Sequence, residues 1–261
     1  MKCRFLCFAD THNGPRPPIP QIRATAWFHA GDFYTADDDL WQLQQGAGAS
    51  SEIRCRAEAQ AKMAEQWLQG IPVPAYAVRG NHDIDDPLGF FGTWQDVSGR
   101  LVKLSPGLFL AGVGWHGESG SDLPGEAELG PICKGLLRQI WRNVRASDRL
   151  IVLSHYFPAV PEAPSVGLRV SGLNCLTELI VEVHPTAFVY GHLHEDFGSQ
   201  WLFRYEGGET LIVNPGPTGG ILTVEARLGT AQFTAIAKQE ERRDGSRVRQ
   251  ARHRRGDPQG V

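Results

Sequence analysis

Residues 75–83 read AYAVRGNHD, a short apolar run followed at once by an amide, an imidazole and a carboxylate. A short apolar run bounded by glycine is typical of a buried strand. In open α/β sheets, functional side chains lie in the loops that follow the carboxyl ends of strands. These nine residues therefore predict a buried strand that delivers Asn81, His82 and Asp83 to one edge of a sheet.

Four other segments, two before residues 75–83 and two after them, also place polar side chains directly after a short apolar run. In chain order the five segments are Asp10-Thr11-His12, Gly31-Asp32, Gly80-Asn81-His82-Asp83, Ser154-His155 and Gly191-His192-Leu193-His194. If their strands share a sheet, the five segments converge at its edge. His29, which precedes Gly31-Asp32, is expected to lie in the core or behind a ligand.

Each segment has a simpler explanation when taken alone. A single buried histidine is more often a hydrogen-bonded core residue, and Asn81 or Asp32 is equally suited to a turn. Packed together without a cation, however, the carboxylates would repel one another and several imidazoles would lack partners. Divalent cations remove that conflict, and imidazole with carboxylate suits manganese, iron, zinc or nickel better than calcium. The set therefore predicts two divalent metal ions.

The order DxH, GD, GNH[DE], H and GHxH resembles the motif series of the calcineurin-like metallophosphoesterase family. The resemblance runs from Asp10 to His194, and Asn214-Pro215-Gly216 is similar to a later element common in that family. It implies an α/β fold, a four-layer α/β/β/α sandwich in which two mixed β-sheets are flanked by helices.

The resemblance also implies a role for each residue. One metal would be held by Asp10, His12, Asp32 and His194. The second would be held by Asp32, Asn81, His155 and His192, so that Asp32 bridges the two. A water bridging the ions would lose a proton at a pH near about 7 and attack phosphorus in line. His82 would not be a ligand but would give its proton to the leaving oxygen.

The chain departs from the family pattern in its second motif. That motif often extends to GDxxD, but Thr35 stands at its final position, so an aspartate that could orient His82 is missing there. The candidates to replace it are Asp83, Asp37, Asp38 and Asp39. The DRG extension of protein Ser/Thr phosphatases is also absent, which counts against that branch of the family.

The length of 261 residues fits one large domain or two small ones, and the resemblance, which covers most of the chain except the tail, implies a single domain over residues 1–237. Helices are expected over 51–69, 132–144 and 174–183, with a hairpin-like pair of strands at 101–104 and 108–113. Residues 117–130 are expected to form a surface loop, and strands at 201–205, 210–213, 220–225 and 231–237 a meander. Residues 238–261 are basic and poor in apolar side chains, so we expect a disordered tail.

Composition excludes several classes of protein. The 261 residues carry a net charge of −3, which gives no general attraction to nucleic acid or membranes. Five scattered cysteines without a CxxC motif favour reduced thiols over a disulfide framework. No apolar stretch approaches the roughly 18 residues of a membrane helix. We therefore expect a cytoplasmic protein with no membrane partner, and the oligomeric state is left open.

These observations favour a metal-dependent phosphoesterase acting on a phosphate-ester substrate. Two divalent ions bring four positive charges, while Asp10, Asp32 and a hydroxide remove three, so a monoanionic diester would neutralise the site. A monoester is the alternative substrate. Two further hypotheses are a catalytically silent scaffold with this fold and a nuclease that uses the basic tail. Acidic residues offset part of the tail's charge, so a solvated tail is favoured over nucleic-acid binding.

Overall fold

The computed structural model describes residues 2–12, 23–33, 74–81, 83, 94–115, 124–160 and 172–236. In chain order the strands are β1 (Lys2–Phe8), β2 (Ala26–His29), β3 (Ala75–Ala77), β4 (Gln95–Asp96), β5 (Leu101–Ser105), β6 (Leu108–Val113), β7 (Arg149–Ser154), β8 (Ala187–Val189), β9 (Gln200–Tyr205), β10 (Gly208–Val213), β11 (Gly220–Glu225) and β12 (Thr230–Ala235). The helices are α1 (Glu126–Asn143), α2 (Asn174–Val183) and a short 3-10 helix at His194–Asp196.

The strands form two mixed six-stranded sheets. The first has the order β12-β11-β1-β2-β3-β4 and the second the order β5-β6-β7-β8-β10-β9. Strands β1 to β4 run parallel to one another, as do β6, β7 and β8. The carboxyl ends of parallel strands meet at one edge of a sheet, so each sheet presents its loops together. The predicted α/β class with two mixed sheets is confirmed.

Two layers of buried apolar side chains hold the sheets in place. Between the sheets, Phe5 and Phe28 stack with ring centroids 4.7 Å apart, and small and branched side chains from both sheets fill the space around them. On the other face of the second sheet, α1 and α2 pack over β6, β7 and β8. A fully buried large apolar side chain contributes about 1.5–3 kcal/mol, so these two layers dominate the stability.

Helix α1 begins earlier than its sequence predicts. The expected surface loop over 117–130 is wrong for 126–130, which are helical despite Pro131 within the helix. The Glu128 side chain accepts the Gly125 N–H at 2.7 Å, and acidic side chains favour a helix N-terminus. A buried stripe along the helix offsets the cost of the proline. The stripe consists of Leu129, Cys133, Leu136 and Ile140.

The four C-terminal strands do not form the expected meander. Strands β9 and β10 pair as an antiparallel hairpin in the second sheet, whereas β11 and β12 pair as a hairpin in the first. Each hairpin has the local alternation that the sequence predicts, but the chain crosses between sheets after Val213. Local periodicity describes each strand and carries no information on which sheet it joins.

Helix α2 spans the predicted residues 174–183, and the β5–β6 hairpin is antiparallel as expected. The predicted helix at 51–69 and the tail at 238–261 lie outside the described residues. Within the described part of the chain, no helix combines the length and the apolar character needed to span a bilayer.

Candidate metal centre

The loops at the carboxyl edges of both sheets hold their polar side chains in a strained backbone conformation. Among the described residues, five that are not glycine have a positive φ. Four of them are predicted ligands, namely Asp10 (52°), His12 (42°), Asp32 (56°) and His192 (69°). Such conformations cost about 1–3 kcal/mol each and cluster at functional sites. Their concentration at this edge indicates that the loops are shaped for a site rather than for stability.

Glycines in the motifs make room for the polar side chains. A Cβ atom on Gly31, which has φ of +87°, would lie 2.6 Å from His155 Nδ1. A Cβ on Gly191 would lie 2.7 Å from Asp10 Oδ2. Real Cβ atoms do not approach other atoms so closely. Gly31 and Gly191 therefore each let a loop of one sheet contact a side chain from the other.

Asp10, His12 and His194 form one group of candidate metal donors, since one ligand atom from each lies within 4.8 Å of the others. The Nε2 atoms of His12 and His194 are 3.1 Å apart, and Asp10 Oδ1 lies 4.0 Å and 3.7 Å from them. Asp10 is buried and also accepts the backbone N–H of His192 at 2.9 Å. The Asp10 carboxylate raises the pKa of His194 against the opposing effect of partial burial.

Asp32, His155 and His192 form the second group, with donor atoms again within 4.8 Å of one another. Asp32 Oδ2 lies 3.3 Å from His155 Nε2 and 3.9 Å from His12 Nε2, so Asp32 is close to both groups. Asn81 Oδ1 lies 3.0 Å from His155 Nε2. The structure thus brings together all seven residues predicted as ligands. Their roles as ligands stay predictions.

The surroundings of His155 test whether this donor set fits a cation. Its Nδ1 donates to the Ala30 carbonyl at 2.8 Å, while its Nε2 faces oxygens of Asp32 and Asn81. Burial lowers the pKa of His155, but the charges and hydrogen bonds of Asp32, Asp10 and Ala30 raise it to about 9. Two oxygens aimed at one ring nitrogen require either a proton or a metal ion there. The donor set therefore fits divalent cations.

Asp83 fastens the loops after β2 and β3 together. Its Oδ2 accepts the backbone N–H groups of Asp32 at 2.8 Å and Gly80 at 2.9 Å, and its Oδ1 accepts that of Phe33 at 2.7 Å. Burial and the nearby Asp32 charge raise the pKa of Asp83 to about 7, although the N–H groups of Gly80 and Phe33 lower it. The carboxylate thus supports the loop that carries Asp32. His82, the predicted proton donor, lies outside the described residues.

Two other residues support the ligand loops: Asn214, to which the sequence assigned no role, and His29, which was expected in the core or behind a ligand and is buried. The Asn214 Nδ2 donates to the carbonyl of Leu193, between His192 and His194, at 2.9 Å. The His29 Nε2 lies 3.1 Å from the hydroxyl of Thr11, between Asp10 and His12. The proximity of Asn214 to the GHxH motif is a tertiary contact, so its only sequence signal is the Asn-Pro-Gly triplet that resembles a family element.

Solved structures show the same fold at low sequence identity. One structure is 12% identical, with a TM-score of 0.62 over 91% of this chain and 100% of its own. The protein TT1561 of Thermus thermophilus is 13% identical, with a TM-score of 0.51 over 91% of this chain and 100% of its own. A Staphylococcus aureus protein assigned as a candidate 5′-nucleotidase, in complex with alpha-ketoglutarate, is 12% identical with a TM-score of 0.53. That match covers 90% of this chain and 53% of the nucleotidase.

No curated protein matches the sequence. The family model described as calcineurin-like phosphoesterase matches residues 3–196, which is most of the 261-residue chain. This range contains all five motif segments and the seven side chains gathered between the two sheets. The chain therefore belongs to the calcineurin-like phosphoesterase family.

Proposed function

We propose that the protein is a dinuclear metal-dependent phosphoesterase that hydrolyses a phosphodiester. The observation that carries this proposal is the position of Asp32, whose Oδ2 lies 3.3 Å from His155 Nε2 and 3.9 Å from His12 Nε2. One carboxylate close to two groups of donors is suited to bridging two cations. When bound, two divalent cations supply Lewis acidity and activate water at neutral pH.

The two groups of side chains would each bind one cation. Asp10, His12 and His194 would hold one cation together with Asp32, and Asp32, Asn81, His155 and His192 the other. Burial of Asp10 and Asp32 excludes water from these carboxylates and strengthens their attraction for a cation. His155 would bind through Nε2, because its Nδ1 donates to Ala30.

Charge favours a phosphate anion as the substrate. Asp10 and Asp32 are the buried carboxylates of the two donor groups, so two divalent ions leave the inner site positive. When a hydroxide is counted as well, about one positive charge remains, and a monoanionic diester balances that charge more closely than a dianionic monoester. His82 would donate a proton to the leaving oxygen. Asp83 would hold together the loops after β2 and β3. The four cysteines in the described part of the chain are buried free thiols, which favours a reducing compartment and supports a cytoplasmic location.

The test is hydrolysis of bis-p-nitrophenyl phosphate by the purified protein supplied with manganese. We expect release of p-nitrophenol, and its loss in Asp32→Ala and Asn81→Ala. Elemental analysis of the same samples should give about two metals per chain for the unaltered protein. Inactivity with each common divalent metal, on both aryl monoesters and aryl diesters, would contradict the proposal.

The same assays, with one deletion variant, distinguish a phosphoesterase from a silent scaffold and from a nuclease. A catalytically silent scaffold would bind little metal and hydrolyse neither ester. A nuclease would degrade DNA or RNA, and deletion of residues 238–261 would weaken its salt-dependent binding to DNA if the basic tail is responsible. Unchanged DNA binding after that deletion would remove the tail from consideration.

A further inference from the structure

Phe197 is an exposed aromatic side chain beside the candidate metal centre. It is 37% exposed and lies just after the 3-10 helix that begins at His194. The other large apolar side chains exposed in the described part of the chain are Trp141, Val181, Leu202 and Leu228. Those four lie on α1, α2, β9 and the turn after β11. Phe197 differs from them because its ring is 4.9 Å from the ring of His194.

The Phe197 ring occupies the rim of the first donor group. The His194 ring lies close to the rings of both Phe197 and His12, at centroid distances of 4.9 Å and 5.0 Å. His194 is itself exposed, with 55% of its side chain accessible. A group attached to a phosphate bound at these histidines can therefore reach the ring of Phe197.

The backbone around Phe197 holds its ring in place. A Cβ on Gly216 would lie 2.8 Å from the Cβ and Cγ of Phe197, so the side chain packs directly on the Gly216 backbone. The N–H of Gly198 donates to the Asn214 carbonyl at 2.8 Å. A partly exposed aromatic ring whose base is packed against the backbone is preorganised for contact and loses little freedom on binding.

We propose that Phe197 is a specificity-determining residue that contacts an aromatic group of the substrate. This inference rests on the proposed phosphoesterase function and adds to it the chemical class of the esterified group. Aromatic rings pair with each other in offset or edge-to-face contacts, which an alkyl group of one carbon does not provide. The protein therefore favours phosphate esters that carry an aryl ring next to the scissile phosphate.

Benzylphosphonate and methylphosphonate form a matched pair of probes, since they share the phosphonate and differ by one phenyl ring. Each is titrated into the manganese-loaded protein by calorimetry, and the ratio of the two Kd values is measured. We expect the unaltered protein to prefer benzylphosphonate and Phe197→Leu to reduce that preference by about three- to tenfold, the range of one aromatic contact. Phe197→Tyr keeps a ring and should keep the preference. Leu202→Ala, a remote exposed side chain, is the control and should also keep it.

Three results would overturn the inference. The first is an unchanged preference in Phe197→Leu. The second is that Phe197→Leu weakens the binding of both phosphonates equally and also loses manganese. Phe197 would then only support His194 and would not contact the substrate. Binding needs no turnover, so a protein that prefers benzylphosphonate but hydrolyses no ester would contradict the proposed activity and leave the ring contact standing. The third result is absence of binding to either phosphonate, and the hydrolysis assay on aryl esters tests the proposed activity separately.

Discussion

Asp83 joins two loops that carry candidate ligands, and its carboxylate has little freedom for any other task. Both of its oxygens accept backbone N–H groups, two from the loop after β2 and one from the loop after β3. Hydrogen bonds to an ionised acceptor are roughly twice as strong as neutral ones. At the scale of single residues, the candidate site therefore depends on the buried Asp83 carboxyl group, which orders the backbone of Asp32, as well as on the predicted ligands.

Replacing Asp83 by Asn should loosen the metal site. The asparagine amide keeps one acceptor oxygen and turns an NH₂ group toward backbone N–H donors. We expect manganese affinity to fall by about 10–100-fold, the usual effect of removing a residue that orients a ligand. A manganese titration measures this. Asp148→Asn is the matched control, because Asp148 also accepts a backbone N–H, from Arg145 at 2.9 Å, but lies in the turn before β7.

A different outcome would assign Asp83 to another task. If Asp83→Asn binds manganese normally but turns over more slowly, the main partner of Asp83 is His82, the predicted proton donor. Asp83 would then replace the aspartate that the family often has where Thr35 stands here. The sequence identified the donors because imidazole, amide and carboxylate groups recur after short apolar strands. The support given by Asp83 could not be predicted, because its partners include backbone N–H groups 50 and 51 residues away.

At the scale of elements, the loop that carries the GHxH motif is held by Asn214, the residue that follows β10. Asn214 is fully buried, its Nδ2 donates to the Leu193 carbonyl at 2.9 Å, and its Oδ1 accepts the Gly216 N–H at 3.1 Å. Because β8 and β10 are parallel neighbours, the loops that follow them lie side by side. Asn214 thus fixes the backbone between His192 and His194.

Asn214→Asp should remove one of the two hydrogen bonds of this side chain and keep the other. An aspartate keeps the acceptor for Gly216 but loses the donor for Leu193, whose buried carbonyl is then unpaired. We expect a loss of about 1–3 kcal/mol in the free energy of unfolding, measured by urea denaturation, and weaker manganese binding. Asn143→Asp is the matched control, since its Nδ2 also donates to a backbone carbonyl, that of Gln139 at 2.7 Å, on the exposed end of α1. Equal effects of the two substitutions would contradict a special role for Asn214.

The elements themselves were predictable where periodicity is local. Strands that precede the motifs and helix α2 have clear apolar runs and clear ends, and the structure confirms them. The start of α1 was not predictable in this way, because Gly130 and Pro131 usually interrupt a helix. Here the buried stripe and the acidic first turn outweigh that cost. The assignment of the last two hairpins to different sheets depends on packing between sheets.

At the scale of the whole molecule, the donors are shared between the two sheets. Asp10, His12, Asp32 and Asn81 follow strands of the first sheet, and His155, His192 and His194 follow strands of the second. Direct hydrogen bonds already cross between the sheets here, from the His192 N–H to Asp10 and from His155 Nδ1 to Ala30. Cations bound at this edge would join the sheets at a point where the apolar core ends.

Metal binding should therefore stabilise the whole sandwich. At a free manganese concentration about 100 times the Kd, binding to the folded state alone adds about 2.7 kcal/mol to the free energy of unfolding. For a chain of this size we expect the Tm of the chelator-treated protein to rise by about 5–10 °C when manganese is restored. Asp32→Asn, from the first sheet, and His155→Gln, from the second, should each lose most of that rise. Glu209→Gln, an exposed position on β10, should keep it, and a full rise in either site variant would show that the cations do not join the two sheets.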